Sequence, residues 1–308
     1  MVVDSGFSFR VARVNLTMSL NQVKSPVRHP GVVRILLAVT AALAALTACT
    51  APAERAEPVA SGARPPSTPS TPAPSAAPTW QVGAQPLPLR PDGFGQVLPT
   101  PPELVNRGLP TRDVLPPPEG GSYAATVEAV PDDVLARSTY RTGCPTPAAE
   151  LRYLTISFWG FDGRPHTGEM IVNGSVAKDV TTVFRTLYDA RFPIEEMRVT
   201  AAPELTAPPT GDGNNTAAFV CRDAVTTTEW SAHAYGFAID LDPFCNPYIK
   251  GDLVLPELAS SYVDRSNVRP GMIEPGDVAI RAFAAIGWDW GGEWSNPRDI
   301  QHFTATGN

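Results

Sequence analysis

Hydrophobic positions in the C-terminal half of the chain follow two rhythms. LRYLTISFWG, residues 151–160, is dense in β-branched and aromatic side chains and predicts a strand. GEMIV, residues 168–172, predicts its hairpin partner across a turn rich in Gly and Asp. Between 175 and 191, Val176, Val180, Val183, Phe184 and Leu187 recur at helical spacing, and Ser175 is placed to cap the N-terminus. IEEMRVT, residues 194–200, returns to strand. In FAIDLD, residues 237–242, the period is two. Phe237, Ile239 and Leu241 should therefore face a core, and Ala238, Asp240 and Asp242 the other way. GDVAIRAFAAIG, residues 276–287, predicts a second helix that starts at Asp277 and is closed by Gly287. Strands mixed with helices, with no βαβ rhythm and no internal repeat, predict an α+β fold for residues 121–308.

Upstream the pattern changes. Residues 50–120 hold eighteen of the 34 prolines, in strings such as RPPSTPSTPAPSAAP and LPPPEGG. Such a composition buries little apolar area, so residues 49–120 are expected to be a disordered or polyproline-like spacer with no binding role. Further back, Arg28, His29 and Arg34 precede ILLAVTAALAALTA, residues 35–48. That run is short for a bilayer span and fits the apolar region of an export signal over residues 1–48. Residues 1–17 lie ahead of the basic region, which makes Met18 an alternative start. LTAC, residues 46–49, is similar to a bacterial lipobox, which implies cleavage before Cys49 and lipid attachment at its thiol; an ordinary signal peptide with an incidental Cys49 is the alternative. The expected location is the outer face of the membrane or the cell wall.

Charge and cysteines narrow the classes further. Residues 121–308 carry fourteen Lys and Arg against twenty-four Asp and Glu, a net charge of −10. Nucleic-acid affinity comes chiefly from Lys and Arg, so this balance argues against a nucleic-acid partner. Export would put Cys144, Cys221 and Cys245 in an oxidising compartment. Three thiols allow one disulfide and one left over, and spacing alone does not choose the pair. None falls in a Cys-x-x-Cys pair, which argues against a thiolate zinc site.

The candidate chemistry lies in two stretches. SAHAYGFAIDLDPF, residues 231–244, sets His233 six residues before Asp240, with Gly236 able to bend the chain between them. Taken alone, His233 reads as a structural histidine. GWDWGGEWSNPRDIQHF, residues 287–303, places Asp299 three residues before His302, on one side of any helical turn. Trp288, Trp290 and Trp294 would wall a tight turn at Gly291 and Gly292, or simply pack a core. A hydrolytic zinc site needs three His or carboxylate ligands, an open position for water and a nearby carboxylate base. His233, Asp240, His302 and Asp299 supply that inventory. His166 reads as a hairpin residue, because a fourth protein ligand would close the site to water.

NNTAAFVCR, then WSAHAYGFAIDLDPFCNPY, then WGGEWSNPRDIQHF together resemble the zinc D-Ala-D-Ala carboxypeptidase and L-Ala-D-Glu peptidase family. Its fold is shared with the vancomycin-resistance dipeptidases and hedgehog signalling domains. The resemblance covers roughly residues 125–305. It implies a small antiparallel sheet with flanking helices around zinc, with His233, Asp240 and His302 as ligands and Asp299 as general base. Arg222 falls on the family's substrate-binding arginine, and Ser231 and Tyr235 would orient ligands or substrate unless they are structural. Many relatives carry glutamate as the base. The shorter Asp299 leans towards the L-Ala-D-Glu branch without fixing the scissile bond. Cys245 departs from the family pattern, which implies Cys144–Cys221 as the disulfide.

The expectation is then a monomeric, lipid-anchored zinc peptidase acting on peptidoglycan stem peptides. Its rivals are a non-catalytic cell-wall-binding lipoprotein that keeps the fold and a metal-free structural domain.

Overall fold

The computed structural model describes residues 80–307. The export signal, Cys49 and the first Pro-rich strings lie outside those residues. Among the described residues no helix is long and apolar enough to cross a membrane.

Residues 80–120 differ from expectation. They contain a short helix, α1 (Pro102–Val105), and they pack as part of the folded unit. Trp80 donates its indole N–H to Asp212, Leu104 is fully buried, and Arg107 forms a buried ion pair with Glu195 at 2.5 Å. The many prolines do not prevent packing. They hold the chain extended, and the sparse apolar residues between them complete a second core with Phe244, Val254, Leu258 and Tyr262. The folded unit therefore reaches back at least to residue 80 rather than beginning at 121.

Strand β1 (Ala125–Ala129) and helix α2 (Asp132–Arg137) lead into a long hairpin, β2 (Leu151–Trp159) and β3 (Pro165–Asn173). These strands form an antiparallel sheet in the order β1-β2-β3. Helix α3 (Ala177–Asp189) packs on it through Val180, Val183, Phe184 and Leu187, the positions the helical spacing singles out. The cap at Ser175 does not form, because Asn173 Oδ1 accepts from both the Ser175 amide and its hydroxyl, closing a turn before the helix begins.

Of the strand predicted over 194–200, only β4 (Glu196–Met197) forms, paired in parallel with β5 (Asn215–Thr216). Glu195 is drawn instead to Arg107, and its amide donates to Asp242 Oδ1. Two more three-stranded sheets follow. One has the order β6 (Ala238–Asp240), β11 (His302–Thr304), β9 (Asp289–Trp290); the other has β10 (Arg298–Asp299), β7 (Tyr248–Lys250), β8 (Leu253–Leu255).

The alternation expected in FAIDLD fails at both ends. Ala238 is as buried as Ile239, and Asp242 turns inward at φ +43° to take the Glu195 amide. Helix α4 (Val278–Ala285) starts where predicted, with the Asp277 carboxylate accepting from the Ala279 and Ile280 amides, a cap contributing about 1 kcal/mol. Phe283 stacks on Phe303 at 4.0 Å between ring centroids, joining α4 to β11.

Candidate metal centre

The β6–β11 pairing builds the site. In that register His302 lies directly opposite Asp240, which brings residues 62 apart in sequence into contact. His233 arrives from the single 3₁₀ turn Ala232–Tyr235, whose first free amide is capped by Ser231 Oγ. The turn ends at Gly236, φ +72°, where a side chain would run into the Asn173 backbone of β3. That close approach fixes the turn against the long hairpin and aims the imidazole back at β6.

Three donor atoms converge. His233 Nε2 lies 3.2 Å from His302 Nδ1 and 3.2 Å from Asp240 Oδ1, and His302 Nδ1 lies 2.9 Å from Asp240 Oδ1. A tetrahedral zinc with ligand bonds of 2.0–2.1 Å has edges of about 3.3 Å, so this triangle matches one face of such a site. The tautomer fits as well. His233 Nδ1 donates to the Ala218 carbonyl at 2.6 Å, which leaves Nε2 as the lone-pair atom facing the others. Burial by itself would raise the Asp240 carboxyl, but the His233 and His302 imidazoles outweigh it and hold it well below the usual carboxylate range. The residues present therefore fit a divalent ion of the zinc type.

Asp299 reaches the same place by a different route from the one expected. It does not share a helical turn with His302. It ends strand β10, opposite Tyr248, while His302 begins β11. The tight turn at Gly291 packs on it, since a side chain there would strike the Asp299 backbone. Its Oδ1 is buried with no hydrogen-bond partner. Burial pushes the carboxyl up to about 7 and the Asp240 charge adds to the rise, while His302, a Gln301 hydrogen bond and Arg222 oppose it.

These groups sit on a cleft of about 850 Å³. Arg222, Ser231, Tyr235 and Trp294 all line it, and the Trp294 ring lies 5.5 Å from that of His302. The expected wall of three tryptophans is reduced to one, because Trp288 and Trp290 are buried in the main core, with the Trp290 indole N–H donating to the Ile300 carbonyl. Cys221, the neighbour of Arg222, is bonded to Cys144, and among the described residues Cys245 is free and buried. His166 takes no part; it is held between Asp113 and Asp162 at 2.7 and 3.1 Å. Tyr248 and Lys250, which also line the cleft, were not singled out from the sequence. The signal was available in YIKGDLVL, a hairpin over a Gly-Asp turn with both residues on one face.

Residues 224–305 match the family model described as D-alanyl-D-alanine carboxypeptidase. The match supports that peptidase family for this segment. The carboxypeptidase match covers about a quarter of the 308 residues and contains His233, Asp240, Asp299 and His302; Arg222 lies just outside it. No curated protein and no solved structure matches the chain.

Proposed function

We propose that the protein is a zinc peptidase that cleaves peptidoglycan stem peptides, on the fold shared with hedgehog domains. The observation that carries this reading is the convergence of His233, Asp240 and His302 donor atoms on a cleft that also holds the Asp299 carboxylate, one oxygen of which is buried without a hydrogen-bond partner. His233, Asp240 and His302 would hold the ion, which supplies Lewis acidity for the scissile carbonyl and makes water acidic enough to act near neutral pH.

The chain's own residues perform the rest. Asp299 takes one proton from the attacking water as its oxygen bonds to the carbonyl carbon. The same proton then passes to the amide nitrogen as the C–N bond breaks, so an amine and a carboxylic acid form, and the acid's remaining proton goes to the amine to leave an ammonium and a carboxylate. Among the described residues Arg222 has no carboxylate partner; one of its guanidinium nitrogens donates to the Asp223 carbonyl, and the fork is suited to a substrate carboxylate or the developing oxyanion. Ser231 holds the His233 turn, Tyr235 offers a half-exposed hydroxyl at the rim, and Trp294 shields the ligand side from bulk water. Lipid attachment at Cys49 would tether this activity to the membrane and direct it at the wall.

The test is to incubate the purified full chain with pentapeptide muropeptides, with and without a chelator, and to read the products by mass spectrometry. Loss of a terminal alanine, or a cut after the first alanine, each abolished by chelation, is the expected result and names the bond. Intact substrate in a folded, zinc-loaded sample would overturn the reading in favour of a wall-binding module.

A further inference from the structure

The cleft holds two cations without carboxylate partners. Several arginines of the domain are paired with carboxylates: Arg107 with Glu195, Arg137 with Glu169, Arg198 with Glu196 and Glu204, and Arg265 with Glu274. Arg222 and Lys250 are the unpaired cations that line the cleft. Among the described residues neither has a carboxylate within ion-pair distance, although both line a cleft and residues 121–308 carry a net charge of −10. Arg222 is already placed at the reacting centre. Lys250 is not yet accounted for.

Its position is defined. Lys250 ends β7 two residues after Tyr248, and alternate residues of a strand share a face. Tyr248 is the register partner of Asp299, and both Tyr248 and Lys250 line the cleft. The ammonium therefore projects into the cleft about 7 Å along the strand from the position opposite the base. An extended peptide advances about 3.3–3.6 Å per residue, so that offset is one to two residues of substrate. The ammonium is also held rather than free. It donates to Thr226 Oγ1 at 2.6 Å, on the loop that follows Arg222, leaving two of its three hydrogens for a ligand. The acidic groups that also line the cleft do not neutralise it. Asp240 lies among the metal donors, Asp299 is the base, Glu257 accepts from the Gly95 amide at 2.7 Å, and Glu229 makes no ion pair.

We propose that Lys250 is a second anion-binding position of the cleft, taking a substrate carboxylate one to two residues from the scissile bond. This rests on the peptidase reading and narrows its substrate class. The preferred substrate is a peptide with a free carboxylate in addition to the one met by Arg222, rather than a neutral segment. In a stem peptide that carboxylate could be the α-carboxylate of a γ-linked glutamate or the chain terminus, and the two have the same chemistry.

The experiment uses the chelator-treated full chain, so that binding is read without turnover. Three probes are titrated: L-Ala-γ-D-Glu-L-Lys-D-Ala, the same peptide amidated at the glutamate α-carboxyl, and the same peptide amidated at its C-terminus. Tryptophan fluorescence follows binding, since Trp230 and Trp294 line the cleft. At least one of the two amidations should weaken binding by about tenfold or more, the scale of one charge-assisted hydrogen bond, and the one whose effect depends on Lys250 names the carboxylate. Lys250→Met should abolish the discrimination against that amide, and Lys250→Arg should keep it. Discrimination unchanged in Lys250→Met, or none in the unaltered protein, would overturn the assignment. If Lys250 merely tethered the Thr226 loop, the Met variant would lose acid and amide affinity alike. Hydrolysis of muropeptides is scored separately. Discrimination lost with Lys250 in a chain that cuts nothing would leave the anion position standing and sink the peptidase reading.

Discussion

His302 bonds Asp240 through Nδ1, faces His233 Nε2, and packs against Trp294, so a single ring links both other donors to the cleft wall. His302→Ala should therefore leave fewer than three ligands and no stoichiometric zinc, read by metal analysis of the purified protein. Asp299 stands apart from the donor triangle. Asp299→Asn should keep the zinc and lose at least about 10²-fold in kcat, the scale of general-base catalysis. A variant with near-normal turnover would refute the role. The same carboxyl sets a pH dependence. It must be ionised to accept a proton, and its value before metal binding is about 7. A bound cation favours the carboxylate and moves that value down. In the loaded enzyme kcat/KM should rise with pH along an acid limb centred below about 7, falling away as pH drops through it. The limb should be missing from Asp299→Asn.

At the scale of elements, the hairpin β2–β3 and the helices α3 and α4 were legible because each carries a local period or cap. The site strands were less so. β6, β10 and β11 are two or three residues long, too short for a period to show, and they form because their partners lie opposite. Asp299 and His302 were grouped correctly by spacing for the wrong reason, since a strand break rather than a helical turn separates them. Arg222 depends on a different constraint. Its neighbour Cys221 is joined to Cys144, closing a loop across 77 residues. Replacing both cysteines by serine should cost about 2–4 kcal/mol of stability. Thermal unfolding of oxidised and variant protein measures it, and an unchanged midpoint would show that the loop closure is redundant.

For the whole molecule, the decisive feature is the segment 80–120, which the prolines made look unstructured. Arg107 is fully buried against Glu195, with Asn214 donating to the same carboxylate. Arg107→Ala would strand that carboxylate in the interior and should destabilise by about 3–5 kcal/mol, read by denaturant unfolding. A fragment starting at residue 121 should share the defect and one starting at 80 should not. Equal midpoints for the two fragments would show that the segment is dispensable.

By itself, the sequence determined the inventory: the His, Asp, Asp and His side chains able to hold and serve a metal, the glycine turns that permit them to approach, and the acidic balance of the domain. Those are properties of residue types and short spacings. Tertiary structure alone decided that Asp240 faces His302, that Trp294 and not its two neighbours meets the cleft, and that a proline-rich segment closes the second core. Each of these depends on pairing between segments tens of residues apart. The free energy that selects them is buried area and hydrogen-bond register, which no local pattern encodes.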